Sequence, residues 1–118
     1  PQFVLRNLDD GIGGCLRAVQ EHFGDQIVPQ QNTGTSLDIN PPGVSKAVGV
    51  QALADAMGLC LDEVMVAGDA DNDYEMLEMG AFSVVPENGR PKAKERARYV
   101  TASNDADGIA AAIEKFVL

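Results

Sequence analysis

The feature that most restricts the fold is a four-residue apolar run, Val64-Met65-Val66-Ala67, leading directly into Gly68-Asp69-Ala70-Asp71-Asn72-Asp73. The run has no polar alternation, the pattern of a strand covered on both faces in a parallel sheet. Asp62 is placed to cap a turn just before it. A second buried strand, Ala81 to Val85, and a third, short strand, Tyr99-Val100, follow. Helical segments separate them. Val44 to Met57 puts Ala47, Val50, Ala54 and Met57 on one face and stops at Gly58. Asp73 to Met79 forms a short helix, with Asp73 as its N-cap, and Pro91 suits the first turn of a helix to about Arg98. Asp107 caps a last helix whose apolar positions are Ile109, Ala112, Ile113 and Phe116. This alternation predicts an α/β fold: a doubly wound sheet with a layer of helices on each face.

The first forty residues have a different rhythm. Phe3-Val4-Leu5 reads as a short strand. Asp9 or Asp10 can cap a helix to about Phe23, weakened at its start by Gly11, Gly13 and Gly14 and stopped by Gly24. Gln26–Gln30 and Thr35–Ile39 read as two short strands around a turn at Gln31-Asn32-Thr33-Gly34. Asn40-Pro41-Pro42-Gly43 then breaks the pattern, so the expected organisation is an αββ appendage over residues 1–40 and an α/β domain over 41–118. The 118-residue length and the opening Pro1 suggest a piece of a longer protein.

Charge narrows the partners. Eighteen acidic against nine basic residues give a net charge of −9, which disfavours nucleic acid and anionic membrane surfaces. No apolar run is long enough for a transmembrane helix, and nothing at the start reads as a signal peptide. Two cysteines, Cys15 and Cys60, are too few for a disulfide scaffold; they read as small buried apolar groups in a cytoplasmic protein. His22 reads as a surface or structural residue. Met57, Met65, Met76 and Met79 fall at core-like spacings.

The acidic excess is concentrated. Asp62 to Glu78 carries seven carboxylates and no Lys or Arg, an arrangement that must be solvated or face a cation. Ligands in open α/β sheets bind outside the carboxyl ends of the strands, where Gly68–Asp73 would lie. Oxygen ligands there suit a hard cation such as Mg²⁺ or Ca²⁺. The alternative is a solvated acidic loop whose aspartates cap the following helix. An EF-hand is excluded, because its sixth position must be Gly and is Tyr74, and its twelfth should be Glu and is Gly80. Lys46 is the second chemical feature. A lysine in a first helical turn is electrostatically misplaced unless an anion is bound there; otherwise it is simply solvated. No nucleoside-triphosphatase phosphate loop occurs.

The order of Lys46 and the acidic loop is specific as a pair. Ile39-Asn40-Pro41-Pro42-Gly43-Val44-Ser45-Lys46, then Val64 to Leu77 with its Gly-Asp-x-x-Asn-Asp core, then Tyr99 to Ile109, together resemble the haloacid dehalogenase-like phosphatases of the Cof type, subclass IIB. The resemblance runs from about Leu37 to the end. It implies the C-terminal half of a three-layer Rossmann-like core, preceded by the final αββ of an α/β cap domain. It further implies that Lys46 contacts the transferring phosphoryl group and Asn72 hydrogen-bonds the phosphate. Asp69 and Asp73 would be the metal-side carboxylates for Mg²⁺, Asp69 ligating directly and Asp73 holding the loop or reaching the ion through water or Lys46. Asp71 would face solvent at a variable position, and Asn88 would form a turn.

Ala47 stands where the family usually has Gly, and Pro86-Glu87-Asn88-Gly89 replaces Met-Gly-Asn-Ala. The family's nucleophile, in Asp-x-Asp-Gly-Thr, has no counterpart: Leu8-Asp9-Asp10-Gly11 has the wrong carboxylate spacing and lacks the Thr. The implied activity is hydrolysis of a small phosphorylated metabolite, by default a sugar phosphate, through an aspartyl phosphate formed outside this chain, which alone would be inactive. A phosphomutase of the same superfamily and a non-catalytic metal-binding module are the alternatives. A receiver domain is disfavoured, since receivers carry their acidic pair early and their lysine late. A truncated core would expose a sheet edge and apolar surface that invite self-association.

Overall fold

The computed structural model describes residues 2–6, 11–33 and 35–118. The chain divides into two compact units, Pro1–Val44 and Ser45–Leu118.

The first unit is an antiparallel sheet with one helix. It comprises β1 (Phe3–Leu5), α1 (Ile12–Phe23), β2 (Val28–Thr33) and β3 (Ser36–Asn40). The strand order is β1-β3-β2, so β3 is central, with Leu5 opposite Leu37 and Gln30 opposite Asp38. Leu37 is the one buried side chain among the unit's described residues. Pro29 sits on β2, an edge strand, where the missing N–H costs no ladder bond. The appendage is therefore βαββ rather than αββ. The expected strand from Gln26 begins only at Val28, because Gly24–Gln26 forms a 3-10 turn, and it runs on to Thr33 through an irregularity between Gln31 and Thr33. The reversal thus falls after Thr33, not at Gln31. Gly34 and the proposed caps Asp9 and Asp10 lie outside the described residues.

The second unit is a parallel sheet with helices on both faces. Its elements are α2 (Lys46–Met57), β4 (Met65–Ala67), α3 (Tyr74–Glu78), β5 (Phe82–Pro86), α4 (Pro91–Lys94), β6 (Tyr99–Thr101) and α5 (Gly108–Phe116). The order is β4-β5-β6, all parallel, with Met65 beside Phe82 and Val84 beside Tyr99. The central strand β5 is buried from Ser83 to Pro86, and its one polar side chain, Ser83, accepts the Arg98 N–H at 3.1 Å. On one face Val66 packs with Ala47, Met76 and Ala81, and Val85 with Leu77 and Ala93. On the other face the rings of Phe82 and Tyr99 meet Phe116 of α5, with centroids 4.7 and 4.9 Å away.

Several local expectations are corrected. α2 starts at Lys46, two residues late, because the Ser45 hydroxyl accepts the Val48 N–H at 3.3 Å and sets the cap there. The helix begun at Pro91 ends at Lys94 instead of Arg98. Asp107 occupies the cap position of α5 but at φ 52°, and its side chain makes no capping bond. Before β4, Leu61–Glu63 forms a 3-10 turn in which Glu63, not Asp62, reaches back to the Cys60 N–H at 2.9 Å. Cys60 and Met57 are exposed, since neither belongs to a core cluster, while Cys15 is half-buried. Ile113 and Phe116 of α5 are also partly open and line an apolar groove of about 750 Å³ with Met65, Ala67 and Phe82. No helix among the described residues is long and apolar enough to cross a membrane.

Candidate active site

The residues singled out in the sequence gather at the carboxyl end of β4. There the chain leaves the sheet through Gly68, whose N–H still donates to the Val84 carbonyl at 3.2 Å. A 3-10 turn, Asp71–Asp73, carries it into α3. Asp73 is the pin of this loop and only 1% exposed. Its Oδ2 accepts the N–H groups of Asp69 at 2.8 Å and Ala70 at 3.0 Å, and its Oδ1 accepts the Lys46 ammonium from the first turn of α2. Glycine is required at 68, because a Cβ there would stand 2.5 Å from the Cβ of Asp73.

Asp73 therefore does not cap α3, as its position suggested. Its carboxylate turns back into the loop, and no side-chain cap bond is made. Burial pushes the Asp73 carboxyl up, but the Lys46 ammonium and the two backbone donors outweigh it, so the group stays ionised to a pH below the usual carboxylate range. Lys46 answers the puzzle of a cation in a first helical turn through this bond. Its side chain is still 51% exposed, so the ammonium has solvent access beside its partner.

The remaining polar groups divide sharply. Asp71 has both oxygens occupied: the Tyr74 hydroxyl donates to one, and Arg90 Nη1 donates to the other at 2.6 Å. The Tyr74 bond and, after the smaller opposing effect of burial, the guanidinium hold its carboxyl below the ordinary range. The same bond raises the Tyr74 hydroxyl above its usual value. The Arg90 N–H in turn donates to the Asp69 carbonyl at 2.9 Å. Asp69 is thus held at its N–H by Asp73 and at its carbonyl by Arg90. Its own carboxylate is exposed, with no hydrogen-bond partner among the described residues. Asn72, half-buried beside it, also has a side-chain amide without such a partner.

Asp71 is exposed, as sequence reasoning expected, but it is paired with Arg90, which that reasoning missed. The signal was present: a segment of seven carboxylates with no internal cation has to find one elsewhere, and Arg90 is the first basic residue after it. Asn88 does more than form a turn. Its Oδ1 accepts the Asn104 N–H at 3.0 Å and the Ser103 hydroxyl at 3.4 Å, tying the loop after β5 to the loop after β6.

The donor chemistry of the loop fits a hard divalent cation, since its free ligand is the Asp69 carboxylate. With Asp73 engaged on both oxygens and Asp71 likewise, it offers one free carboxylate. A tighter cluster, Cys60, Asp62 and Glu63, lies on the exposed turn before β4, with ligand atoms within 4.8 Å of one another.

Comparisons with known proteins identify the family of the chain. The family model for haloacid dehalogenase-like hydrolases matches residues 2–113. A Streptococcus pyogenes protein provisionally named a phosphatase is 39% identical over 109 residues, 92% of this chain and 40% of that protein. The Escherichia coli 5-amino-6-(5-phospho-D-ribitylamino)uracil phosphatase YbjI is 35% identical over 114 residues, 97% of this chain and 42% of the enzyme. A solved haloacid dehalogenase-like hydrolase from Bacteroides thetaiotaomicron superposes with a TM-score of 0.86 at 25% identity, over 97% of this chain and 43% of that one. The chain thus spans about two fifths of the length of these two curated relatives. Since the family model spans residues 2–113 and the relatives match nearly the whole chain, the chain belongs to the haloacid dehalogenase-like hydrolases.

Proposed function

We propose that this chain supplies the lysine and metal-side half of a Mg²⁺-dependent phosphatase acting on a small phosphorylated metabolite of the sugar-phosphate class. The observation that carries this reading is the division of labour at the end of β4. Asp73 is buried and bound to Lys46 and two backbone amides, while Asp69 keeps a free carboxylate. In this reading Asp69 holds the cation directly, and Asp73 holds the loop that presents it. Mg²⁺, when bound, neutralises charge on the phosphoryl oxygens.

The chain's own groups do the rest. The Lys46 ammonium, kept at the site by Asp73, pairs with the phosphoryl group as charge develops, and the Asn72 amide donates to a phosphate oxygen. An aspartate outside these residues attacks phosphorus, breaking the ester P–O bond and releasing the alcohol, and water then hydrolyses the resulting aspartyl phosphate to inorganic phosphate and free aspartate. Residues 1–40 are assigned to the end of a cap domain and 41–118 to the second half of the core. The phosphorylated ribityl compound in the name of the Escherichia coli relative supports the substrate class. The free thiols Cys15 and Cys60 support the cytoplasmic setting, and the open apolar groove beside β4 supports self-association of this piece.

Two experiments test the reading. Purified chain in Mg²⁺ is expected to leave p-nitrophenyl phosphate intact; robust turnover abolished by Asp69→Ala would show that the nucleophile lies within these residues. Inorganic phosphate titrated with Mg²⁺ is expected to shift the Lys46 and Asn72 resonances, and Lys46→Ala to remove the Asn72 shift. Phosphate binding unaffected by Lys46→Ala would contradict the assignment.

A further inference from the structure

We infer that Arg90 is a positioning residue that sets the cation preference of the acidic loop, by holding Asp71 out of the ion's coordination shell. This rests on the assignment of Asp69 as the cation ligand. Asp69 and Asp71 are separated only by Ala70, so an unrestrained loop would offer two carboxylates. The two are treated oppositely. Both Asp71 oxygens are bound, one to Tyr74 and one to Arg90, whereas the Asp69 carboxylate is free.

Arg90 is well placed for this. It precedes Pro91, which restricts it to extended backbone, and it sits at φ −60°, ψ 144°. Its N–H grips the Asp69 carbonyl while its guanidinium grips Asp71, so one residue holds the loop at both carboxylate-bearing positions. The Tyr74 ring also packs against Arg96, whose guanidinium lies 4.4 Å from the ring centroid and whose Nε is 3.0 Å from Glu78 Oε1.

The consequence is chemical. Mg²⁺ keeps several waters and is bound through one or two carboxylates, whereas Ca²⁺ takes six to eight oxygens in flexible geometry. A loop with Asp71 withdrawn is poor in carboxylates and favours Mg²⁺. Releasing Asp71 adds a second, adjustable carboxylate and shifts the preference towards Ca²⁺.

The test is a pair of NMR titrations of the full chain, with Mg²⁺ and with Ca²⁺, following the amides from Gly68 to Asp73. Arg90→Ala is expected to lower the Mg²⁺-to-Ca²⁺ affinity ratio about fivefold, the scale of an exposed ion pair. Arg90→Lys is expected to keep most of the ratio, and Arg90→Ala with Asp71→Asn to restore it, which a merely structural role would not do. A ratio within twofold of wild type in Arg90→Ala, or no restoration by Asp71→Asn, overturns the inference while leaving the Asp69 assignment intact. No saturable binding in the wild type, or binding that survives Asp69→Ala, overturns both.

Discussion

The two units solve the problem of burying a sheet in opposite ways. In Pro1–Val44 the antiparallel strands hide one described side chain, Leu37, and leave Phe3, Val4 and Leu5 open. In Ser45–Leu118 the parallel strand β5 is buried on both faces, with Val84 and Val85 at 0% exposure. A parallel sheet needs helices on both sides, and the loops that connect them meet at its carboxyl edge. The candidate site therefore belongs to the second unit, where a buried carboxylate, Asp73, can be built into the fold. Within its loop the contrast recurs: the Lys46–Asp73 pair is anchored on its buried side, whereas Arg90–Asp71 is exposed on both.

That contrast yields graded predictions. Asp73→Ala strands two backbone N–H groups and the Lys46 ammonium, and is expected to cost the second unit about 3 kcal/mol, read by urea unfolding. Leu37→Ala removes the described core of the first unit and is expected to cost about 2 kcal/mol, with the NMR shifts of Ser45–Leu118 unchanged. Losses of equal size in both units would break the comparison. Ser45→Ala is expected to cost about 1 kcal/mol by removing the cap of α2. Arg90→Ala, at the exposed pair, is expected to move stability by no more than about 0.5 kcal/mol, so any larger effect would place that pair with the buried one.

Acid sharpens the same distinction. The Asp73 carboxyl is held below its ordinary 3.8 in the folded state. Its contribution is fully present above that pH and is lost as pH falls through the depressed folded value. Acid unfolding of the second unit is therefore expected to begin below about pH 4 and to flatten in Asp73→Asn.

Much of this was legible from residues alone, for identifiable reasons. Ala81 to Val85 announced the buried central strand β5. Val64 to Ala67, expected to be covered on both faces, is instead an edge strand with Val66 buried, Met65 partly buried and Ala67 exposed. An apolar run does not reveal whether a strand sits at the centre or the edge of its sheet. The grouping of Lys46 with the acidic loop followed from their order along the chain. The direction of Asp73 did not, because an aspartate before a helix serves equally as a forward cap or a backward brace, and only the void left by Gly68 decides. Arg90 was hidden because its partner lies nineteen positions away on another strand's loop. β1 was legible as a strand, but its place beside β3 is a tertiary pairing that three residues cannot specify. Met57, Ile113 and Phe116 were expected inside from helical spacing, which marks a face without saying how far the core extends beneath it.

The central claim is that the loop after β4 presents Asp69 to a divalent cation while Asp73 holds the loop. It is tested most directly by a Mg²⁺ titration of the chain followed at every backbone amide. The account predicts saturable shifts centred on Asp69 and Ala70, lost in Asp69→Asn while the unfolding midpoint stays the same. Shifts centred on Cys60–Glu63, or retained in Asp69→Asn, would contradict it.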